Sequence, residues 1–257
     1  MEDLFSIKGK VALVTGGSRG IGLMIARGFV EAGAKTYISS RKGDVCDAVA
    51  AELSKVGTCI SLPADLGSEA GAKGLAEAIA ARETQLDILV NNAGATWGAP
   101  LADYPDDAFD KVMNLNVKGV FHLTRFLTPL LAKAGSDASP SRVINIGSID
   151  GIQVPAQETY AYSASKAAVH HLTRVMAHQL APQRIIVNAI APGPFESKMM
   201  AETLRNFGAG IRASNPLGRI GEPSDMAGTA IFLASKASAY ITGMVIPVDG
   251  GFSTRHG

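Results

Sequence analysis

Thr15-Gly16-Gly17-Ser18-Arg19-Gly20-Ile21-Gly22 follows the apolar run Val11-Ala12-Leu13-Val14 and leads directly into a helical pattern over 20–32. Glycines at such a strand-to-helix turn permit positive φ and let the backbone approach a pyrophosphate, while the helix N-terminus offers free N–H groups and a positive dipole end. The spacing is G-x-x-x-G-x-G, and no Lys-Ser/Thr pair follows the last glycine, which excludes a Walker A loop. Gly16 to Gly20 also match the G-x-S-x-G nucleophile elbow of hydrolases. Two features oppose a hydrolase: no loop upstream of this first strand can form an oxyanion hole, and no Asp-then-His pair follows near a strand end. His122, His170, His171 and His178 fall in helical stretches and His256 in the tail, and without carboxylate or Cys partners they make no metal set.

Outward from this turn the same alternation repeats. Apolar, β-branched runs at 11–15, 35–39, 58–62, 86–90, 142–146, 184–190 and 244–248 read as strands. Between them, 20–32, 68–82, 106–133, 160–181 and 222–235 repeat apolar positions every three or four residues, as helices do. The expected fold is α/β: a doubly wound, Rossmann-like parallel sheet of about seven strands, covered by helices on both faces because the strands are continuously apolar. A single domain over 1–257 is expected. The Gly- and Pro-rich stretch 192–221 reads as an irregular lid in which Phe195, Met199, Met200, Leu204, Phe207 and Ile211 either line an apolar cleft or form the core face of a short helix.

The 257 residues carry a net charge of +1, which argues against a nucleic-acid surface. Charged residues are only 18% of the chain, a low share that points to surface buried in an oligomer. Two cysteines, Cys46 and Cys59, and no apolar leader imply a reduced, cytoplasmic setting. No charge-free apolar run reaches the roughly 18 residues of a membrane span.

The second strand ends at Ser39-Ser40-Arg41-Lys42, where a dinucleotide site meets the adenosine ribose. No acid stands there to accept from a 2′-hydroxyl, whereas Arg41 and Arg19 suit a 2′-phosphate and hence NADP. Further on, Tyr162 and Lys166 lie four apart, one helical turn, and a nearby ammonium is expected to lower the phenol pKa toward a working general acid. Tyr160 lacks such a partner, since residue 164 is Ala.

TGGSRGIG at 15–22, NNAG at 91–94, Asn116 in NLNV, Ser148 in INIGS, YSASK at 162–166 and PG at 192–193 occur in an order that resembles the short-chain dehydrogenase/reductase family over essentially the whole chain. The wording LDILVNNAG, RVINIGS, VNAIAPG and VIPVDGGF looks most like its NADPH-dependent 3-oxoacyl reductases, notably the rhamnolipid-synthesis type. The resemblance implies reduction of a ketone, with a 3-oxoacyl thioester as the expected substrate, by NADPH. Its implied catalytic residues are Tyr162 as proton donor, Ser148 orienting the carbonyl, Lys166 on the nicotinamide ribose and Asn116 anchoring a proton-relay water. The implied cofactor contacts are Gly16, Ser18, Arg19, Gly20, Ile21, Gly22, Arg41, Asp65, Leu66, Asn92, Ala93, Gly94, Tyr162, Lys166, Pro192, Gly193, Phe195 and Ser197, with Asn91 and Ile190 beside them. A homotetramer, an acyl carrier protein as candidate partner, and no metal complete the expectation. Ser148 and Tyr162 stand 14 apart, one more than the family pattern, Pro194-Phe195 and Ser197 replace its usual aliphatic residue and threonine, and Arg142 and Arg184 alone offer basic charge at the rim. The alternatives are a sugar, steroid or other small-carbonyl enzyme of the same family, and a non-catalytic dinucleotide-binding regulator, which the intact Ser148, Tyr162 and Lys166 set opposes.

Overall fold

The computed structural model describes residues 4–196 and 200–254, with the backbone alone for 201–204. Its strands are β1 (Val11–Thr15), β2 (Lys35–Ser39), β3 (Cys59–Ser61), β4 (Ile88–Asn91), β5 (Ser141–Ile146), β6 (Ile185–Pro192) and β7 (Val245–Val248). They pair in parallel throughout, in the order β3-β2-β1-β4-β5-β6-β7. The helices are α1 (Gly20–Glu31), α2 (Gly43–Leu53), α3 (Glu69–Ala80), α4 (Asp106–Met113), α5 (Gly119–Ala134), α6 (Tyr160–Leu180), α7 (Ala201–Ser214) and α8 (Pro223–Ala234).

Side chains alternate across a strand, so a continuously apolar strand feeds two cores. Ala12, Val14, Ile88, Val90, Ile144 and Ile146 pack with Ile25 and Phe29 of α1 and Met226 and Leu233 of α8. Leu13, Leu89, Val143 and Val187 pack on the other face with Leu75 and Ile79 of α3, Leu123 and Leu127 of α5 and Met176 of α6. Each large side chain so buried contributes about 1.5–3 kcal/mol, and a charge at either parity of the central strands would be desolvated. Sequence order reverses between β1 and β4, and a crevice opens outside the carboxyl ends of the strands at such a point.

Three stretches add detail to the sequence pattern. The stretch 43–53 forms α2, whose buried positions Cys46, Ala50 and Leu53 are too small and few to give a strong apolar period. The stretch 106–133 is α4 and α5 joined by a π-turn at Asn114–Lys118. The segment 192–221 contains the 14-residue helix α7, masked in the sequence by Gly208 and Gly210, each unfavourable in a helix by about 1 kcal/mol. Among the described residues no helix is long and apolar enough to cross a membrane.

Candidate active site

The carboxyl end of β1 turns at Gly16, whose φ is +64°, a value costly for any residue with a Cβ. A Cβ on Gly22 would lie 2.3 Å from the Gly16 carbonyl oxygen, so the first turn of α1 rests directly on the glycine loop. The end of β4 locks this turn in place. The Asn92 amide donates to the Thr15 carbonyl at 2.9 Å, and the backbone N–H groups of Asn92 and Ala93 donate to Thr15 Oγ1 at 2.9 and 3.0 Å. Asn91 turns inward, donating to Thr124 Oγ1 and to Asn145 Oδ1, so it braces the β4–β5 ends rather than lining the cleft.

The α1 N-terminus has neither a side-chain cap nor an acid in its first turn, and its flanking residue Arg19 is exposed. Arg41 is exposed at the end of β2, and neither arginine pairs with a carboxylate among the described residues. Ser39, at the same strand end, has a buried hydroxyl without a hydrogen-bond partner. An uncapped helix terminus, two unpaired guanidinium groups and an orphaned hydroxyl fit an anionic dinucleotide bearing an additional phosphate. Asp65 is exposed beyond β3, where its carboxylate accepts from the Gly67 N–H at 3.0 Å. Leu66 is 5% exposed with its side chain in the core, which leaves its backbone for the cleft.

Ser148 follows β5 and Tyr162 lies in the first turn of α6, which brings the serine hydroxyl close enough to the phenol to favour its ionised form. Ser148 Oγ accepts from the Asp150 N–H at 3.1 Å. Lys166 is buried one turn beyond Tyr162; its Nζ donates to the Ile146 carbonyl at 2.8 Å and stands 5.4 Å from the centre of the tyrosine ring. Burial, against the opposing charge of Asp150, pulls Lys166 down to about 8. The expected acidification of Tyr162 by Lys166 is corrected: burial pushes the phenol up to about 12, the nearby Ser148 hydroxyl works against that rise, and the Asp150 charge adds to it. The ammonium is spent on the Ile146 carbonyl and faces the ring, so desolvation wins. Tyr160 is 38% exposed and bonds Glu158 at 3.0 Å, outside this group.

Asn116 lies in the π-turn, 1% exposed. Its Oδ1 accepts from Ala95 N at 2.8 Å, while Nδ2 donates to the Ala95 carbonyl and to Ser165 Oγ, both at 2.9 Å. Its side chain therefore ties the loop after β4 to α6, and π-turns of this kind cluster at functional sites. Gly94 sits against Asn116 Oδ1.

At the end of β6, Pro192 is buried and the Gly193 N–H donates to the Val248 carbonyl at 3.0 Å. Phe195 departs from its expected place: it is 2% exposed in the core beneath Gly221, with which it forms an isolated bridge, so its ring lines no cleft and only its backbone is available to a cofactor. Ile190 is likewise a core residue. Ser197 and Met199 lie outside the described residues, and so does the Leu204 side chain. Arg142 and Arg184 are not at the rim, since they stand at the opposite, amino-terminal ends of β5 and β6. Arg142 is 2% exposed, bonding the Pro140 and Ser235 carbonyls, and Arg184 pairs with Asp137 at 2.7 Å.

The β1–α1 turn is where recognition of the chain begins: residues 16–253 match the family model described as enoyl-(acyl carrier protein) reductase. The chain is 51% identical over 254 residues to the rhamnolipids biosynthesis 3-oxoacyl-[acyl-carrier-protein] reductase of Pseudomonas aeruginosa, covering 98% of this chain and 99% of that one. The chain belongs to the short-chain dehydrogenase/reductase family. The solved Pseudomonas aeruginosa RhlG/NADP active-site complex superposes with a TM-score of 0.95 at 50% identity, covering 98% of this chain and 100% of that one. Galactitol 2-dehydrogenase (L-tagatose-forming) of Cereibacter sphaeroides is 36% identical over 256 residues, 98% of each chain.

As a member of that family this chain contains a residue that sequence reasoning missed. Asp150 is half-buried in the turn after Ser148; burial raises its carboxyl and the Lys166 charge lowers it. Its only sequence signal is position, two residues after Ser148.

Proposed function

We propose that the protein is an NADPH-dependent ketoreductase that converts a 3-oxoacyl thioester to its 3-hydroxyacyl product. The neighbouring Ser148 and Tyr162 hydroxyls, one turn from buried Lys166 and at the same end of the sheet as an anion-ready glycine turn, carry this proposal. Identity of 51% to a 3-oxoacyl-[acyl-carrier-protein] reductase supports the substrate class, and the RhlG/NADP complex supports the cofactor. Gly16, Ser18, Arg19, Gly20, Ile21 and Gly22 are proposed to hold the pyrophosphate, Arg41 the 2′-phosphate, Asp65 and Leu66 the adenine, and Asn92 to Gly94 with Pro192, Gly193, Phe195 and Ser197 the rest of the cleft.

NADPH supplies the hydride when bound. Tyr162 and Ser148 donate hydrogen bonds to the substrate carbonyl, so charge that develops on its oxygen meets two fixed donors. The phenol, held near 12, is protonated at neutral pH and is still a far stronger acid than the alcohol being formed, so proton transfer from its Oη to the oxygen is downhill. Lys166 holds the nicotinamide ribose and Asn116 fixes the loop and helix between which the proton is replaced.

The segment 192–221 with α7 is proposed as a lid; Phe207, 66% exposed, and Ile211, half-buried, are its apolar contacts for an acyl chain. We further propose a cytoplasmic homotetramer, supported by the exposed aromatic side chains of Phe109 on α4 and Phe121 on α5, with an acyl carrier protein or coenzyme A delivering the substrate. NADPH oxidation with 3-oxoacyl thioesters of increasing length, sugar ketones and steroids tests the assignment. kcat/KM is expected to rise up to about tenfold over a few methylenes at about 0.8 kcal/mol each, after incomplete burial. A flat response, or a preference for a sugar ketone, overturns the acyl assignment.

A further inference from the structure

Tyr162, Lys166 and His170 are spaced four apart on one face of α6, and the third of them has no role in the proposed chemistry. His170 is 4% exposed and lies beneath the loop that runs from Gly147 to Gly151. Its Nε2 accepts the Ser148 N–H at 3.4 Å. A neutral imidazole whose Nε2 accepts an N–H carries its own proton on Nδ1.

The loop lies flat against the ring. A Cβ on Gly147 would come within 2.1 Å of His170 Nε2, and one on Gly151 within 2.9 Å of its Cε1. Gly147 is thus required for the loop to reach the imidazole, and Gly151 for it to rest on the α6 backbone at Lys166 and Ala167. We propose that His170 is a positioning residue for the reaction: it clasps the loop by accepting the Ser148 amide and packing against Gly147 and Gly151, and so fixes where the Ser148 hydroxyl meets Tyr162. The proposal rests on the reading of Ser148 as the group that orients the substrate carbonyl.

The clasp requires a neutral ring, because an imidazolium would set an Nε2–H against the Ser148 N–H. Burial and the charge of Lys166 hold His170 down to about 4, with Arg174 acting in the same direction, so the ring is neutral throughout the working range. Asp150, in the same turn, acts on Lys166 and Tyr162.

The test is a double-mutant cycle between His170 and Ser148, read as kcat and as the NADPH dissociation constant. His170→Leu keeps the volume and removes the acceptor; kcat should fall at least tenfold while NADPH binding stays within threefold. His170→Gln restores an acceptor near Nε2 and should recover a large part of the loss. In a Ser148→Ala background, His170→Leu should cost little more, because the residue it positions is gone. A kcat within twofold of wild type in His170→Leu, a Gln variant as slow as the Leu variant, or losses that multiply in the double variant would overturn the proposal. Should the Leu variant not fold, the 15N shifts of His170 in the wild-type protein still decide: a proton on Nδ1 at neutral pH is expected, and a proton on Nε2 or a charged ring contradicts it. Full activity in Ser148→Ala alone would instead reject the reading of Ser148, so the two failures are distinguishable.

Discussion

Two buried cations stand at opposite ends of the same sheet. Arg142 is at the start of β5 and Lys166 lies beyond its end, and each donates to main-chain carbonyls. At the amino-terminal end, burial lowers Arg142 to about 10, with Asp87 opposing the shift and no carboxylate within salt-bridge distance among the described residues, while its neighbours Lys10 and Asp87 form an ion pair of their own at 3.4 Å. At the carboxyl end, Lys166 falls to about 8 and has no carboxylate within salt-bridge distance among the described residues. Both charges fall equally far below their ordinary values, so each is under-compensated, and what differs is their use: the guanidinium ties two carbonyls that close the structure, and the ammonium stands beside a tyrosine and a serine. Such under-compensation costs stability, and natural proteins retain it where function requires it.

The largest effect that sharpens this contrast comes from replacing each cation by Met. Lys166→Met should reduce kcat at least a hundredfold yet raise stability at pH 7 by about 1–3 kcal/mol, because a shift from 10.5 to about 8 at about 1.4 kcal/mol per unit is the penalty of a charged, buried amine. The folded-state pKa lies below the unfolded one, so that penalty is full below pH 8 and fades as pH rises toward 10.5. Arg142→Met should go the other way, destabilising by about 1–3 kcal/mol because the two carbonyls it leaves unpaired outweigh the burial penalty it removes, with kcat of the folded enzyme retained. Denaturant melts and turnover on both variants check this; a destabilised Lys166→Met would break the comparison.

The glycine turn and the Tyr162–Lys166 pair are legible in the sequence because each depends on neighbours within one turn of chain. The order of elements is legible for a related reason, since strands covered on both faces are apolar at most positions of both parities. What escapes is set by distant contacts. Phe195 reads as a cleft residue by its place after Pro192, yet its bridge to Gly221 turns the ring into the core. The direction of the Tyr162 shift escapes because spacing reports the lysine, whereas the desolvation comes from the packed loop and helix around it. Asp150 and His170 gain their positions only when the Ser148 loop is laid on α6.

A smaller effect concerns cofactor choice at the far end of the crevice. Arg41→Asp should remove one charge-assisted contact of about 1.5–3 kcal/mol to the 2′-phosphate and add repulsion, so the NADPH-to-NADH ratio of kcat/KM should fall at least tenfold. An unchanged ratio would remove Arg41 from the site.

The smallest effect is on pH dependence. Asp150 raises both Lys166 and Tyr162, so Asp150→Asn should lower both pKa values and move the alkaline limb of kcat toward lower pH by less than one unit. A limb that moves upward would place the Asp150 charge elsewhere.

The most direct measurement is NADPH oxidation with a 3-oxoacyl thioester by Tyr162→Phe and Tyr160→Phe side by side. Tyr162→Phe should lower kcat by about 10²–10⁴, the range for removal of a general acid, while Tyr160→Phe, whose hydroxyl bonds only Glu158, should stay within about threefold of wild type. Equal losses in the two variants, or a Tyr162→Phe enzyme that turns over at the wild-type rate, would contradict ketone reduction at the Ser148–Tyr162 pair.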